Sequence, residues 1–499
     1  MTPGKVYLVG AGPGDPALIT LKGKAVLERA DCVVYDFLVN DAILRFAPQE
    51  CERVFAGKRA GRHAIAQEEI NRLLIERARA GKRVVRLKGG DPFIFGRGGE
   101  EARELAKAGI SFEIVPGVSA GNAAPAYAGI PLTHRGLSSG VRFLTGHEGI
   151  SGDALRSQEN ADTLVFFMAA RNMGEIASAL IREGRDPQTP CAVIRWGTTP
   201  AQGVVTAPLS EIASQAGEIY PPAIAIVGEV VNLREELRWF ETLPLFGKRI
   251  VVTRPKEQAA PLTSMLAERG AEAVEIPAIE LREPASWEAM DAAIGRLEEF
   301  DYLLVTSANG VRKFAARLEA AGKDARCLNG LEIGAIGPAT AEEFARSGIR
   351  VDFIPREYRA EGLIEALAKR DLRGKSFLIP RARVARDLVP RALEERGARV
   401  EVVEAYYAEA PTYRPAELAA LLTPIPDALT FTSSSTAVNF SRLPIPAEIR
   451  ERLCRAAIVS IGPVTSQTLR DLGMKVDAEA PKSTVPGLVE AIESCFRKA

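Results

Sequence analysis

The chain has 499 residues, 46% of them hydrophobic, which is too long for one ordinary core, so we expect two to four domains. Its 64 basic residues balance 64 acidic ones, which argues against a general nucleic-acid or membrane surface. Six scattered cysteines and three histidines show no metal-ligand spacing, so we expect a reducing compartment and no metal. The chain starts directly in a strand, without a signal peptide, and no apolar run reaches the roughly 18 residues of a membrane span. A cytoplasmic protein is expected.

The first predicted element is a strand over residues 6–9, followed by a glycine-rich turn over 10–15 and a helical stretch over 18–27. Such a corner faces ligands at the carboxyl end of a parallel strand. The turn fails as a dinucleotide fingerprint, because Pro13 removes a donor and Asp15 adds a negative charge where a phosphate would lie. A structural turn and a turn for a phosphate-free ligand both remain open on this pattern.

Further strands are predicted over residues 32–35, 84–87 and 112–115, separated by helical stretches such as 68–80. This alternation predicts an α/β fold with a mainly parallel sheet and helices on both faces. Polar and glycine-rich segments follow three of these strands, namely Asp36, residues 88–91 and residues 116–120. They can cap helices or form turns, but at strand ends they are also expected to face one ligand crevice.

The ordered motifs of the first half resemble the tetrapyrrole methylase family and, within it, the uroporphyrinogen-III C-methyltransferases. The motifs are Val9-Gly-Ala-Gly-Pro-Gly-Asp-Pro16, Tyr35-Asp-x-Leu-Val39, Gly57-Lys-Arg-x-Gly-x-His63, Leu87-Lys-Gly-Gly-Asp-Pro-Phe-Ile-Phe-Gly-Arg97, Pro116-Gly-Val-Ser-Ala120 and Gly197-Thr-Thr-Pro200. One departure is Phe37, where the family often has arginine. The resemblance implies two α/β sub-domains, about 1–116 and 117–244, and a homodimer.

The resemblance also implies S-adenosylmethionine as methyl donor, a sulfonium cation without phosphate, which accounts for the unusual first turn. The residues expected at the donor are Pro13, Gly89, Gly90, Asp91, Ile94, Ser119, Ala120, Met168 and Gly197. By the same resemblance Asp36 is the base and Lys58 the proton donor of the reaction. Lys58 can equally pair with a substrate carboxylate, as can Arg59, Arg62 and Arg97.

A short connector over residues 243–247 joins the halves, and we predict domains of 1–244 and 245–499. The second half repeats itself, since three signatures beginning at Gly247, Leu304 and Ala335 recur in the same order at offsets of 127, 126 and 125 residues. Two α/β lobes of similar plan follow from this repeat, with a cleft between them.

Hydroxyl residues stand at equivalent strand ends in both predicted lobes. They are Thr306, Ser307, Thr432, Ser433 and Ser434. Helix capping is the ordinary role of such residues, and binding of substrate carboxylates at helix starts is the functional alternative. The second half shows no nucleophile–base pair, because no histidine follows His147 and no cysteine has a visible activating partner.

The second half resembles uroporphyrinogen-III synthase. The matching motifs include Thr253-Arg-Pro255, Thr306-Ser-Ala-Asn-Gly-Val311, Ile336-Gly-Pro-x-Thr340, Thr432-Ser-Ser-Ser435 and Ile461-Gly-Pro-x-Thr465. The resemblance implies doubly wound lobes of residues 247–280 with 409–499 and of residues 281–408. It also implies that hydroxymethylbilane loses water and closes to uroporphyrinogen III with inversion of ring D.

Tyr406 matches the family tyrosine that assists loss of the hydroxyl group, but its neighbour Tyr407 leaves the assignment open by one residue. An amphipathic residue at a strand end is the structural alternative. The leading hypothesis is a bifunctional enzyme that makes uroporphyrinogen III and methylates it twice to precorrin-2, toward sirohaem and cobalamin. The alternatives are methylation of another corrinoid or of ribosomal RNA, and a second half that binds tetrapyrroles without turning them over.

Overall fold

The computed structural model describes residues 4–57, 66–146, 162–169, 171–217, 220–385 and 387–497. By residue contacts the chain divides into two compact units, one of residues 1–249, 264–273 and 496–499 and the other of residues 250–263 and 274–495. The described ranges form four five-stranded sheets with helices between the strands. None of the helices in those ranges combines the length and apolar character needed to cross a membrane. The predicted α/β class is confirmed.

The first sheet is fully parallel, with the strand order β3-β2-β4-β1-β5. Its elements are β1 (Val6–Gly10), α1 (Leu21–Leu27), β2 (Cys32–Tyr35), β3 (Glu52–Phe55), α2 (Gln67–Arg79), β4 (Val84–Lys88), α3 (Gly98–Lys107) and β5 (Phe112–Val115). Successive residues of β1 pack on opposite faces of the sheet. Val9 packs with Leu27 of α1, whereas Leu8 packs with Leu74 of α2 and Leu105 of α3. Helices therefore cover both faces, as the strand–helix alternation predicted.

The second sheet has the order β6-β7-β10-β8-β9, and of its four pairings only β6 with β7 is parallel. Its elements are α4 (Ala120–Tyr127), β6 (Val141–Thr145), β7 (Thr163–Phe167), α5 (Met173–Arg182), β8 (Pro190–Arg195), β9 (Gly203–Pro208), α6 (Ile212–Gln215), β10 (Ala223–Val227) and α7 (Arg234–Leu237). The expectation of a mainly parallel sheet does not extend to this sheet. The reason is that β9 follows β8 in a direct hairpin, whose loop carries Gly197, and that β10 runs antiparallel to both β7 and β8.

The third sheet has the order β12-β11-β18-β19-β20, and its strands come from both ends of the second half. Its strands are β11 (Arg249–Val252), β12 (Glu272–Glu275), β18 (Ala428–Phe431), β19 (Ala457–Ser460) and β20 (Ala478–Glu479). The accompanying helices are α8 (Lys256–Ala267), α14 (Pro415–Leu421), α15 (Ser434–Ser441), α16 (Ala447–Leu453), α17 (Pro463–Asp471) and α18 (Val485–Phe496).

The fourth sheet has the order β13-β17-β16-β14-β15, with an antiparallel edge strand on a parallel sheet. Its strands are β13 (Glu280–Arg282), β14 (Tyr302–Val305), β15 (Glu332–Ala335), β16 (Ser376–Ala382) and β17 (Arg399–Glu409). Its helices are α9 (Glu288–Gly295), α10 (Ala308–Ala320), α11 (Pro338–Arg346), α12 (Ala360–Ala366) and α13 (Leu388–Glu394).

The predicted internal repeat is visible in the topology of these two sheets. The order β12-β11-β18-β19 of the third sheet corresponds to β17-β16-β14-β15 of the fourth. The helices after β14 and β18 begin at Ala308 and Ser434, at the repeat offset. Two lobes of similar plan are thus confirmed, while the domain and lobe limits read from the sequence stay predictions.

Candidate functional site

The turns that follow β1, β4 and β5 meet backbone to backbone. A Cβ atom placed on Gly10 would lie 2.5 Å from Cα of Gly117 and 2.6 Å from the carbonyl oxygen of Gly90. Gly12 and Gly90 exchange backbone hydrogen bonds of 3.2 and 2.7 Å. Two of the strand ends that the sequence expected at one crevice, those after β4 and β5, are therefore in direct contact with the first turn, and only glycine fits at the junction.

Asp91 fastens two of these turns together. Its Oδ1 accepts the N–H of Phe93 at 2.8 Å, and its Oδ2 accepts the N–H of Gly117 at 3.0 Å. Each carboxylate oxygen is thus used inside the protein, so the side chain acts as a turn residue and a cross-link. What this turn offers a ligand is backbone from Gly89 and Gly90, both half-buried.

Asp15 has a structural role that the sequence interpretation missed. Its Oδ1 accepts the N–H of Ala17, and its Oδ2 accepts the hydroxyl of Tyr127 on α4 at 2.7 Å. Burial, together with this hydrogen bond, raises the pKa of Tyr127 above its ordinary value. Both carboxylate oxygens of Asp15 thus accept hydrogen bonds from the protein, and through them the side chain links the first turn to α4.

The loop between β8 and β9 closes the opposite side of the first turn. The backbone N–H of Asp15 donates to the hydroxyl of Thr198 at 3.1 Å, and a Cβ on Gly14 would lie 2.6 Å from Cγ2 of Thr199. Gly197 packs against α4, where an added Cβ would lie 2.4 Å from that of Ala124. The loop that carries Gly197 thus contacts both the first turn and the middle of α4.

The residues at the start of α4 and the end of β7 complete the candidate donor site. Ser119 is buried and caps α4, with its Oγ accepting the N–H of Gly121 at 3.2 Å, and Ala120 is the first residue of that helix. Met168 follows β7 and is about half exposed. Its neighbour Phe167 packs on Phe95, 5.0 Å between ring centroids, in the loop that also carries Ile94.

Backbone strain is concentrated around this crevice. Within the described ranges, the non-glycine residues with positive φ are Phe95, Arg97, Met168, Trp196 and Thr198. They lie in the loops after β4, β7 and β8, the same loops that carry the predicted donor residues. Left-handed backbone at non-glycine residues costs energy and persists where the surroundings impose it, which is common at ligand sites.

Asp36 belongs to a buried group of charges at the ends of β2 and β4. Its Oδ1 accepts a hydrogen bond from Arg86 at 2.5 Å, and its Oδ2 lies 3.8 Å from Nζ of Lys88. Glu101 of α3 binds both cations through Oε1, at 3.0 Å to Arg86 and 3.1 Å to Lys88. Burial, with repulsion from Arg86, lowers the pKa of Lys88. Asp36 is the most exposed member of the group, so its carboxylate remains partly accessible while the other charges are buried.

This charge group contains residues that the sequence analysis did not select. Arg86 is only 2% exposed and Glu101 is fully buried, with its Oε2 lacking a hydrogen-bond partner among the described residues. A buried ion pair is retained where both charges are satisfied or used. The available signal was the alternation of charge and aliphatic residues in the strand Val84–Lys88, all of it buried.

The basic residues predicted to bind substrate carboxylates in this half are placed only in part. Lys58, Arg59 and Arg62 lie outside the described residues. Arg97 is exposed at the start of α3 and pairs with Glu100 at 2.7 Å. The Arg97 guanidinium is accessible to a substrate carboxylate, but binding that carboxylate would require Arg97 to give up its ion pair with Glu100.

In the second half, the structure brings Ser307 and Tyr406 together, with 3.0 Å between their hydroxyl oxygens. Tyr406 follows a β-bulge, since Arg381 pairs with Glu404 whereas Ala382 pairs with Tyr406. Its ring packs against a buried cluster, while the ring of Tyr407 lies under the guanidinium of Arg383, 4.3 Å away. Of the two tyrosines left open by the sequence, Tyr406 is therefore the one that contacts a predicted site residue, Ser307.

The other predicted hydroxyl residues lie at the ends of β14 and β18. Ser307 caps α10 and Ser433 caps α15, the latter in a capping box with Thr436, so the capping interpretation holds for both. Ser434 accepts a hydrogen bond from Thr468 of α17 at 2.7 Å. Thr306 and Thr432 are half-buried at the strand ends.

Arg254 is a residue of this half that sequence reasoning missed. It is half-buried at the end of β11, burial lowers its pKa, and its Nε finds no acceptor in the described part of the chain. Its counterpart in the repeat, Arg381, pairs with Asp387 at 2.5 Å. The motif Thr253-Arg-Pro255 contained the signal, because an arginine directly after an apolar strand points to the carboxyl end of the sheet.

Comparisons with known proteins match each half of the chain to a different protein family. The family model of tetrapyrrole (corrin/porphyrin) methylases matches residues 5–213, and that of uroporphyrinogen-III synthase HemD matches residues 260–490. Porphyrin biosynthesis protein HemD of Ruminiclostridium josui is 36% identical over 501 residues, which cover 99% of this chain and 98% of that protein. Uroporphyrinogen-III C-methyltransferase of Bacillus subtilis is 40% identical over 348 residues, 65% of this chain and 71% of that protein.

A third relative, siroheme synthase 2 of Cronobacter sakazakii, is 50% identical over 241 residues, 48% of this chain and 53% of that protein. The chain thus spans about half the length of this relative. Fold, sites and relatives together define a two-part α/β enzyme of tetrapyrrole biosynthesis. The chain belongs to the tetrapyrrole methylase family through its N-terminal half and to the uroporphyrinogen-III synthase family through its C-terminal half. Both resemblances read from the sequence are confirmed.

The close backbone contact of Gly10, Gly90 and Gly117, called here the glycine junction, predicts that larger residues are not tolerated at these positions. In Gly117→Ala, the new Cβ would lie 2.3 Å from the carbonyl oxygen of Gly90. We expect a loss of about 1–3 kcal/mol in unfolding free energy, measured by urea unfolding with hydrogen exchange of peptides from the first half. Gly99→Ala on α3 is the control, because an added Cβ meets nothing within 4 Å there. Equal effects of both substitutions would contradict the assigned junction.

The buried charge group predicts a contrast along α3. Glu101→Gln leaves Arg86 and Lys88 buried with one carboxylate fewer, so we expect a loss of about 3–5 kcal/mol in unfolding free energy. Glu104→Gln, one helical turn further on, removes only an exposed pair with Lys107 and should cost less than about 1 kcal/mol. Urea titration of both variants measures the difference, and a Glu101→Gln variant as stable as Glu104→Gln would show that the charges are not effectively buried.

Proposed function

We propose that this chain catalyses two successive steps of tetrapyrrole synthesis. The C-terminal half cyclises hydroxymethylbilane to uroporphyrinogen III, and the N-terminal half methylates that product twice to precorrin-2, toward sirohaem and cobalamin. The observation that carries the proposal is the presence of both families in one chain, with a relative similar along nearly the whole length. The product of one half is the substrate of the other, and tethering raises its local concentration.

The methyl donor in this proposal is S-adenosylmethionine, which when bound supplies an electrophilic methyl group on a sulfonium. We assign its binding to the residues around the glycine junction, namely Pro13, Gly89, Gly90, Asp91, Ile94, Ser119, Ala120, Met168 and Gly197. Their chemistry fits a phosphate-free ligand, because close backbone and small or apolar side chains surround the first turn. The Asp91 carboxylate contributes by holding the turns in place.

Asp36 is proposed as the base that receives the proton lost from the methylated macrocycle. The residue is suited to this role because it is the partly exposed end of a group whose other members are buried. Positioning and exclusion of water supply most of the acceleration in methyl transfer, so a fixed base is sufficient. Lys58 is proposed as proton donor, and Arg59, Arg62 and Arg97 as partners of the substrate carboxylates.

In the synthase half, Tyr406 is proposed to give a proton to the departing hydroxyl group of hydroxymethylbilane. Loss of that group as water leaves an azafulvenium cation, and the ring closes through a spiro intermediate. Thr306, Ser307, Thr432, Ser433 and Ser434 are proposed to line the substrate site at the strand ends of the two lobes. Helix starts with free N–H groups favour the carboxylates of the bilane.

The remaining organisation is proposed on the same basis. We assign residues 1–244 to the methyltransferase and 245–499 to the synthase, and we propose a cytoplasmic homodimer joined through the methyltransferase half. The partners are tetrapyrrole substrates, without nucleic acid, membrane or metal. The balanced charge of the chain supports the exclusion of RNA as acceptor.

Supplying hydroxymethylbilane with and without S-adenosylmethionine tests both activities. We expect type III uroporphyrinogen without the donor, and a product heavier by two methyl groups with it, identified by chromatography and mass spectrometry. Formation of only the type I isomer would refute the synthase assignment and support a binding module. An unchanged mass with donor would refute the methyltransferase assignment, or point to another corrinoid acceptor if such an acceptor gains mass.

Asp36→Asn separates the two activities within one protein. The substitution keeps the shape of the side chain but removes the base, so methyl transfer should fall by about 10²-fold or more. Formation of the type III isomer should stay within twofold of the unsubstituted chain, because the synthase half is untouched. Asp41→Asn, an exposed aspartate five residues along the same segment, is the matched control. Loss of both activities in Asp36→Asn would contradict the assignment of reactions to halves.

A further inference from the structure

A single serine oxygen joins a helix start to the proposed reactive phenol. Oγ of Ser307 accepts the N–H of Gly310 at 3.0 Å as the cap of α10, and it lies 3.0 Å from the hydroxyl of Tyr406. Ser307 follows β14 and Tyr406 lies on β17, 99 residues later. This contact is therefore made by the tertiary fold and not by local chain geometry.

Either hydroxyl of the pair Ser307 and Tyr406 can be the donor of their hydrogen bond, and the surroundings of Ser307 favour the serine. A serine hydroxyl has one proton to donate and two lone pairs to accept with, and one lone pair is already committed to Gly310. The helix start carries a partial positive charge, which draws electrons from the serine oxygen and makes its O–H a better donor. Donation from Ser307 to the phenol oxygen leaves the proton of Tyr406 free for a third group.

The rest of Tyr406 is fixed in place. Its ring packs against the buried cluster that contains Val403 and Ala405 of the same strand, and the β-bulge at Ala382 turns it toward that cluster. The ring is thus anchored by packing, and the hydroxyl is oriented by Ser307. An oriented proton donor is what departure of a hydroxyl group requires.

We propose that Ser307 is a positioning residue that directs the Tyr406 proton toward the leaving hydroxyl group; this inference rests on the proposed synthase function. In the step, the C–O bond of the hydroxymethyl group breaks and both electrons stay with oxygen. The phenol proton joins that oxygen, water departs, and the pyrrole nitrogen supplies the electrons for the azafulvenium cation. The phenolate of Tyr406 regains a proton when the cyclised ring loses its carbon-bound proton.

Two substitutions separate the hydroxyl from the helix cap. Ser307→Gly removes the hydroxyl, but glycine remains an acceptable N-cap residue, and Ser307→Thr keeps both functions in an extended backbone that suits threonine. We expect kcat for type III formation to fall about tenfold in Ser307→Gly, with KM within twofold, and to recover in Ser307→Thr. A change confined to KM, or a threonine variant as slow as the glycine variant, would overturn the proposal.

A double-mutant cycle with Tyr406→Phe gives the decisive readout. If Ser307 acts through the phenol, Ser307→Gly should cost nothing further once Tyr406→Phe is present. Ser433→Gly is the matched control, because Ser433 caps α15 at the equivalent position of the other lobe and accepts the N–H of Thr436 at 3.2 Å. Whatever fold-change in kcat Ser433→Gly causes alone, we expect that change to multiply with the fold-change caused by Tyr406→Phe.

Two results of this cycle contradict the role of Ser307. One is a multiplicative loss for the pair Ser307→Gly and Tyr406→Phe, and the other is an unchanged kcat in Tyr406→Phe alone. Failure of the proposed function looks different, because the unsubstituted chain would then form only the type I isomer. The assay therefore distinguishes a wrong role for Ser307 from a wrong function for the half.

Discussion

The N-terminal half depends on the backbone contact between Gly10, Gly90 and Gly117. Without Cβ atoms, the turns after β1, β4 and β5 approach until their backbones touch, and Asp91 bonds one turn to the next. The carboxyl ends of three parallel strands thereby become one surface. Side chains of ordinary size would separate the turns, so the absence of Cβ atoms is a condition of this close approach.

The two halves treat charge in different ways that suit their proposed chemistry. The first half buries Arg86, Lys88 and Glu101 and leaves Asp36 as the most exposed member of the group, so one carboxylate is held in a fixed position by buried cations. The second half places hydroxyls at helix starts, where Ser307 links α10 to the phenol of Tyr406. Methyl transfer needs a fixed geometry and a base, whereas ring closure needs an oriented proton donor.

Much of this arrangement was readable from the sequence because its signals are local. Strands, glycine turns and the caps Ser307 and Ser433 are encoded within a few residues, and the repeat made the two lobes visible. The pairing of Asp15 with Tyr127 was not readable, since the residues are 112 positions apart. The same holds for the antiparallel pairings of β10 with β7 and β8, which join strands that are distant in the sequence.

The choice between Tyr406 and Tyr407 also required the structure. A regular strand would put neighbouring residues on opposite faces, but the bulge near Ala382 changes that alternation and places Tyr406 against the core with Val403 and Ala405. For Arg86 the sequence did contain a signal, because the residue lies within an otherwise apolar stretch of the strand Val84–Lys88. A charged residue inside an otherwise aliphatic strand marks a buried interaction whose partner the sequence does not reveal.

Titration calorimetry with S-adenosylhomocysteine and ATP asks whether the first turn selects a phosphate-free adenosine ligand. Both ligands carry adenosine, but only ATP carries phosphates, which the glycine junction with its Pro13 is not built to hold. We expect one saturable site per chain for S-adenosylhomocysteine, weakened in Gly117→Ala, and no saturable binding of ATP. Saturable binding of ATP that S-adenosylhomocysteine does not displace, or no binding of S-adenosylhomocysteine, would contradict this expectation.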